Sequence, residues 1–417
     1  MTKSLACVLL PALLLAACGG GSGKSGLSTG GGGGGGGQTI AGPGPNVTTL
    51  SVDLFQGGFV NIPYISVTVC QPSTNTCQTI DHIEVDTGSA GLRIISTPAT
   101  ASFLASLPQQ LVGGTTVPVV ECAQFADGFT WGPVVSADVV ISSEKASNVP
   151  VHVIGAPAPF TSIPTSCSSV GPEEDTVASF GANGIIGVGA TLQDCGPICT
   201  SAVSGAYYGC PTNGAGCTPT GEPIDSQVAN PVAFFTADNN GVIVELPSVA
   251  ANGAASATGA LVFGIGTQTN NALGSATVIT VDTSSGVGAF DVSFNSTDYP
   301  GSLFDSGTNA LAFNDSALTP CTGNPGPLFY CTVASNLTAT ITGANGAQLT
   351  ATFSVGDATS MMEALPNGAA FPQLAGPAGT TLGGIFDFGL PYFFGRNIFT
   401  AIEGMSAGGT QGPYYAY

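Results

Sequence analysis

Ile83-Glu84-Val85-Asp86-Thr87-Gly88-Ser89-Ala90-Gly91-Leu92 and Ser302-Leu303-Phe304-Asp305-Ser306-Gly307-Thr308-Asn309-Ala310-Leu311 are two renderings of one pattern. Each runs from apolar strand residues into Asp, a hydroxyl residue, Gly, a second hydroxyl residue, two small or polar positions and Leu. Asp puts a carboxylate at the tip of a tight turn, and the Gly lets another backbone approach where a Cβ would clash. The Thr and Ser hydroxyls can bond the carboxylates or a facing loop. Two carboxylates held close cannot both ionise, so they share one proton over a useful pH range. The ionised member then takes a proton from a trapped water while the protonated member polarises a carbonyl. This chemistry needs no cofactor, metal or covalent intermediate. One such tripeptide is a weak signal in a chain so rich in Gly, Ser and Thr. Two copies, each behind an apolar strand, are a much stronger one.

The rest of the sequence reads as strands around these loops. Only 7% of the 417 residues are charged and 43% are apolar, with 61 Gly and 29 Pro. That leaves too little Lys, Glu and Arg for coiled coils or long amphipathic helices. Val, Ile, Thr and Phe interrupted by Gly, Pro, Asn and Asp predict short strands joined by turns. Helical tracts are expected only near Thr97–Ser106 and Asn230–Phe235. The length suits two lobes better than one core. Five basic residues against 25 acidic ones give a formal charge of −20. Such a field repels nucleic acid and anionic lipid head groups, so neither is an expected partner. Its self-repulsion falls as carboxylates protonate, which favours work in acid.

The N-terminus predicts export. Lys3 precedes the apolar run Leu5–Ala17 and then Leu15-Ala16-Ala17-Cys18-Gly19, with small residues before a cut. Residues 1–17 are expected to be a signal peptide, too short in its apolar run to remain as a spanning helix. The cut before Cys resembles a bacterial lipobox, which implies a diacylated Cys18 as the first mature residue. A plain signal peptide with Cys18 there by chance is the alternative. Residues 18–45, with Gly30–Gly37 unbroken, are expected to be a flexible tether. Gly19 and Gly20 bring no Asp to signal inner-membrane retention. Resemblance to sorted lipoproteins then implies the outer membrane of a bacterial cell envelope.

Beyond Cys7 and Cys18 stand Cys70, Cys77, Cys122, Cys167, Cys195, Cys199, Cys210, Cys217, Cys321 and Cys331. An even number in an exported chain predicts up to five disulfides. Cys70–Cys77 and Cys321–Cys331 are expected to close hairpins and Cys210–Cys217 a loop. Cys122–Cys167 and Cys195–Cys199 remain. A zinc site from Cys195, Cys199, Cys210 and Cys217 is the competing reading. His82 and Glu84 share the face of Asp86 by the strand's period of two, where polar satisfaction at a strand end is the expected role. The other histidine, His152, is expected on a strand or loop. A Ser-His-Asp triad would need one of these two, and neither lies near a nucleophile-elbow pattern. Arg396 is expected to meet a buried carboxylate.

At the paired motifs the sequence resembles the pepsin-like aspartic peptidases. The resemblance implies that Asp86 and Asp305 are the catalytic pair. Thr87 and Ser306 match the residues bracing the two loops, Gly88 and Gly307 the close-approach glycines, and Ser89 and Thr308 the outer hydroxyls. Phe125, Asp127, Gly128, Phe129 and Trp131 stand where the family has its flap hairpin, followed by Ala137–Ile141. Asn183-Gly184-Ile185-Ile186-Gly187-Val188-Gly189 is similar to the element completing the first lobe's ψ-shaped loop, and Ile385–Gly389 stands in the second lobe's equivalent. Asn239–Val244 resembles the crossing between lobes. The chain departs from the pattern twice. The flap tyrosine is replaced by Phe125 or Phe129, and the tryptophan after the first motif's Leu by Arg93. A cation there would lower both dyad pKa values if close, bind an acidic substrate side chain, or point outward. The whole chain also looks like a bacterial family of uncharacterised exported lipoproteins sharing Asp-His-Ile near the first motif and Gly-Leu-Pro before the last strands.

The expectation is therefore an all-β, two-lobed pepsin-like fold, with lobes at 46–235 and 236–417 and one Asp loop from each facing a central cleft. By resemblance it is an aspartic endopeptidase without cofactor, cutting extended peptides or unfolded protein at acidic to neutral pH. It is expected to be a monomer that meets the membrane only through its lipid anchor. The rival is a binding or structural lipoprotein on an inactive scaffold, marked by an Arg93 salt bridge to either Asp. A structural adhesin would be marked by a filled cleft.

Overall fold

The computed structural model describes residues 38–417 apart from 57, 156–158, 212–213 and 380–383. The expected signal peptide at 1–17, Cys18 and the glycine run lie outside the described residues. No helix among the described residues is long and apolar enough to cross a membrane.

Strands dominate, and the alternation of their side chains shows why. In Pro63–Cys70, Ile65, Val67 and Val69 are buried while Ser66 faces out, the half-buried pattern that fixes register. This strand pairs antiparallel with Cys77–Asp86, and the disulfide Cys70–Cys77 closes the hairpin. Phe129–Ile141 and Glu144–Ile154 form the next long hairpin. The second lobe is built on Phe290–Phe294, Thr297–Phe304, Cys331–Thr342 and Gln348–Asp357. Its core is aromatic: Phe313 stacks on Phe386 at 4.4 Å, with Phe294 and Phe353 edge-on around them.

Each Asp loop is clasped in the same way. Ile83–Asp86 runs parallel to Gly184–Gly187, and the far side of that strand takes Ala90–Ile94 antiparallel. In the second lobe Leu303–Phe304 runs parallel to Asp387–Phe388, whose far side takes Leu311–Ala312 antiparallel. The chain therefore enters each Asp loop on one side of an apolar strand and leaves on the other. A shared sheet joins the lobes, with Val47–Val52 paired to Ala257–Phe263, then Gly241–Leu246, Arg396–Ala401 and Tyr414–Ala416. The fold is all-β and two-lobed, with one Asp loop from each lobe.

The last residues assigned to the tether lie on this sheet. Ala41 donates its N–H to Glu245 Oε2 at 2.6 Å, and Asn397 donates to the Thr39 carbonyl at 3.1 Å. All five expected disulfides are formed, so Cys195–Cys199 and Cys210–Cys217 are bridges and not zinc ligands. A short helix at Ala101–Leu104 capped by Thr100 and a 3-10 turn at Pro231–Phe234 fall where helix was expected. Helix Ala358–Ala364 was not anticipated; Asp357 caps it by accepting from the Ser360 N–H at 2.8 Å. Arg396 does not meet a carboxylate. It donates to the carbonyls of Tyr392 and Thr352 and lies over the Tyr392 ring.

Candidate active site

The two loops meet tip to tip at the lobe interface. The Thr87 hydroxyl crosses to the Phe304 carbonyl at 2.9 Å, and the Ser306 hydroxyl crosses to the Val85 carbonyl at 2.7 Å. In return the Ser306 N–H donates to Thr87 Oγ1 at 2.9 Å and the Thr87 N–H to Ser306 Oγ at 3.1 Å. Thr87 and Ser306 are almost wholly buried, so these four bonds work without competition from water. They fix the distance and tilt of the carboxylates above them.

The carboxylates are held alike. Asp86 accepts from the Gly88 N–H at 2.6 Å and from the Ser89 hydroxyl. Asp305 accepts from the Gly307 N–H at 2.8 Å and the Thr308 hydroxyl at 2.9 Å. Each glycine faces the opposite acid: a Cβ on Gly88 would sit 2.7 Å from the Asp305 carboxyl carbon, and one on Gly307 2.9 Å from that of Asp86. Any other residue would push the acids apart. Asp305 and Asp86 are bonded side chain to side chain, and burial, then the Asp86 charge, hold Asp305 well above the usual carboxylate range.

Above the pair opens a cleft of about 780 Å³. Phe125, Ala126 and Asp127, at the turn between Val119–Gln124 and Phe129–Ile141, line it from the first lobe. Phe329, Met362 and Phe371 line it from the second. Phe129 and Trp131 do not line the cleft. They pack with Phe160, Tyr208 and the disulfide Cys122–Cys167, where Trp131 donates to the Phe160 carbonyl at 2.7 Å. Gly128 shapes the turn, and a Cβ there would strike the Pro172 carbonyl at 2.5 Å.

A family model described as "Protein of unknown function (DUF3443)" matches residues 42–417. The chain belongs to that family. No curated protein matches the sequence. Among solved structures, the chain is similar to an aspartic proteinase from Irpex lacteus at 15% identity and a TM-score of 0.48, over 89% of this chain and 96% of that one.

In this DUF3443 chain Arg93 does none of the three things expected of it. It is 3% exposed and gives Nε and Nη2 to Glu121 Oε1 at 3.2 and 2.6 Å, Nη2 to Asp194 at 3.3 Å and Nη1 to the Ala90 carbonyl at 2.9 Å. His152 pairs with Arg93 in the sheet, and its Nδ1 meets Glu121 Oε2 at 2.8 Å. The cation is neutralised inside the first lobe by groups other than the dyad. His82 also leaves the site: it stacks on Phe55 at 4.0 Å and faces Asp53 and Asp81. Its left-handed φ of 47° breaks the alternation that would have set it beside Asp86.

Sequence reading missed Asp387, a third acid. It lies two residues before Gly389 in the element behind Asp305, is 2% exposed, and has a buried Oδ1 with no hydrogen-bond partner. Burial, then the Asp86 charge, push its carboxyl up to about 8, against a bond from Thr308 that favours the ionised form. The signal was an Asp amid Ile385-Phe386-Asp387-Phe388, where the strand is otherwise apolar. A raised folded pKa gives stability that is complete below the unfolded value near 4 and is lost as pH rises toward 8. Asp387→Asn, which does not titrate, should therefore be more stable than wild type at pH 7 by about 4 kcal/mol, with little difference at pH 4. Urea melts at the two pH values measure this. An equal difference at both would mean that the Asp387 carboxyl titrates alike in the folded and unfolded chain.

Proposed function

We propose that this chain is an exported lipoprotein with an aspartic endopeptidase site, in which Asp86 and Asp305 activate a water for attack on a peptide bond. One observation carries the reading: two acids from separate lobes are bonded side chain to side chain at the floor of an open cleft, locked by reciprocal bonds between Thr87 and Ser306. Asp86, with N–H and hydroxyl donors on its two oxygens, takes the proton from the water. Asp305 lends its proton to the substrate carbonyl, whose oxygen gains charge in the transition state. The rival's mark was an Arg93 bridge to the dyad, and Arg93 commits its donors to Glu121, Asp194 and Ala90 instead. An adhesin would need a filled cleft, and this one is open.

An extended peptide or unfolded protein is the proposed substrate, the monomer the proposed unit and the bacterial outer membrane the proposed address, reached through Cys18. The five disulfides fit an oxidising compartment. The test incubates the purified chain with an unfolded protein between pH 3 and 7. Cleavage should be strongest in acid and stop with a statine peptide, whose hydroxyl takes the place of the attacking water. Absence of cleavage throughout that range would end the peptidase reading.

A further inference from the structure

The lobes are joined at the tips of their Asp loops, and a second joint lies beside that one. Residues 53–62 lead from Val47–Val52 into Pro63–Cys70 of the first lobe, and Leu54, Val60 and Ile62 of this connection line the cleft. Asn61 between them is wholly buried, and its bonds all run to the second lobe. Its Nδ2 donates to the Asn309 carbonyl at 2.9 Å and the Phe371 carbonyl at 3.0 Å, and its Oδ1 accepts from the Phe371 N–H at 2.7 Å. Its own N–H donates to the Ala369 carbonyl at 2.7 Å. One planar amide supplies two donors and an acceptor. A carboxylate there would face two carbonyls with no proton to give, and an apolar side chain would take the acceptor from the Phe371 N–H. The backbone of Asn61 is left-handed, with φ at 54°, which Asn tolerates better than most residues.

These bonds end at parts that shape the cleft. Asn309 follows Thr308, whose hydroxyl bonds Asp305. Phe371 lines the cleft and packs with Ala310, Met361 and Leu374, and Val60 packs against the same cluster from the first lobe. From its other side the Phe371 segment is held by Ala254, whose N–H donates to the Ala370 carbonyl at 2.9 Å and whose carbonyl accepts from the Ala369 N–H at 3.0 Å. Two bodies joined at one place can rock about it, and a second joint removes that freedom. Parting the walls would leave the Asn61 amide and the Phe371 N–H buried and unpaired, a larger loss than a few added apolar contacts return.

We infer that Asn61 is a positioning residue that fixes the width of the cleft. The apolar walls carrying Val60 and Ile62 on one lobe and Met362 and Phe371 on the other then admit substrate side chains up to a set size and reject larger ones. The inference rests on the cleft being a peptide site.

The experiment uses peptides that differ at one position, Leu, Phe or naphthylalanine, with that position moved in turn to each residue flanking the cut, and measures kcat/KM with the full chain. At one position or more the rate should drop about tenfold or more between one side chain and the next larger. Asn61→Gly keeps the left-handed backbone and its N–H while deleting the amide, and should flatten that drop to about threefold or less. A variant that is merely less stable would lower all three rates together. A drop that survives in folded Asn61→Gly, or equal rates for the three side chains at every position in unaltered protein, would overturn the inference and leave the peptidase reading standing. Should Asn61→Gly not fold, amide hydrogen exchange on unaltered protein decides. The Asn61 and Phe371 N–H groups should exchange no more than about tenfold faster than those of Thr87 and Ser306, because both joints open together. Faster exchange than that would mean that the second joint opens alone, which overturns the inference. Failure of all peptides to be cut would sink the peptidase reading, and binding of the same series then decides: a size limit that Asn61→Gly relaxes supports the inference, and binding without a size limit overturns it.

Discussion

Asp86→Asn and Asp305→Asn should each lower kcat for peptide hydrolysis by about 10³-fold or more, with the fold intact. Either change removes the shared proton, because an amide cannot ionise and the remaining acid then titrates alone. Loss of a positioned acid or base costs about 10²–10⁴-fold by itself, and the dyad supplies both roles through one proton. The two losses should not add. The double variant is expected to be about as slow as either single one, as happens when residues act as a unit. Folding should survive because the Thr87 and Ser306 bonds that join the lobes involve hydroxyls, N–H groups and carbonyls, not the carboxylates. Asp305→Asn also removes an acid that burial and Asp86 hold above its ordinary range. Such a group costs stability as pH rises above its unfolded value, so this variant should melt at neutral pH no lower than wild type. Peptide turnover and thermal melts of the three variants test both halves. Hydrolysis that persists at wild-type rate in either single variant would place the chemistry elsewhere.

The parts of the site legible in the sequence were those where chemistry leaves little choice of residue. Asp86-Thr87-Gly88 and Asp305-Ser306-Gly307 each need a carboxylate, a hydroxyl and a residue without Cβ in that order, and their repetition gave away the symmetry of the fold. The clasping strands were legible too, since Gly184–Val188 and the run ending at Gly389 follow their Asp loops in the same sequence of elements. Local spacing suggested three disulfides, and the other two followed as the remaining cysteines. What was not legible depends on contacts between distant strands. Arg93 could be recognised as out of place, but its partners Glu121, His152 and Asp194 come from three other segments. His82 was misplaced because a single left-handed residue turns the alternation over. Phe129 and Trp131 were assigned to the lid by position alone, whereas the disulfide Cys122–Cys167 and Tyr208 gather that stretch into a core of its own. Asp387 escaped notice because an apolar strand was expected at that point.

Arg93→Met should destabilise the chain by about 3–5 kcal/mol at pH 7, the usual cost of removing one partner from a buried ion pair. The side chain is nearly matched in volume, so the loss is electrostatic. Burial alone would push the Glu121 carboxyl up; Arg93, and then His152, overcome that and hold it well below the usual carboxylate range. A depressed folded pKa contributes stability above the unfolded value, near 4.3 for Glu, and loses it as pH falls below that point. Without the guanidinium, Glu121 and Asp194 face each other with too little positive charge. Asp194 is already held high by burial and by Glu121, with Arg93 pulling it back. Both acids then escape their cost by taking protons, which they do more readily in acid. The difference between wild type and Arg93→Met should therefore shrink by half or more at about pH 3.5. Adding Glu121→Gln to Arg93→Met should restore a good part of the stability at pH 7, since the stranded negative charge leaves with the cation while His152 keeps an acceptor. Urea melts of the three proteins at both pH values measure this. An equal loss at the two pH values, with no recovery in the double variant, would mean that Arg93 acts through packing alone. The pH limits of hydrolysis should stay where they are in folded Arg93→Met, because the guanidinium bonds neither Asp86 nor Asp305. A shift of those limits would put the cation within reach of the dyad.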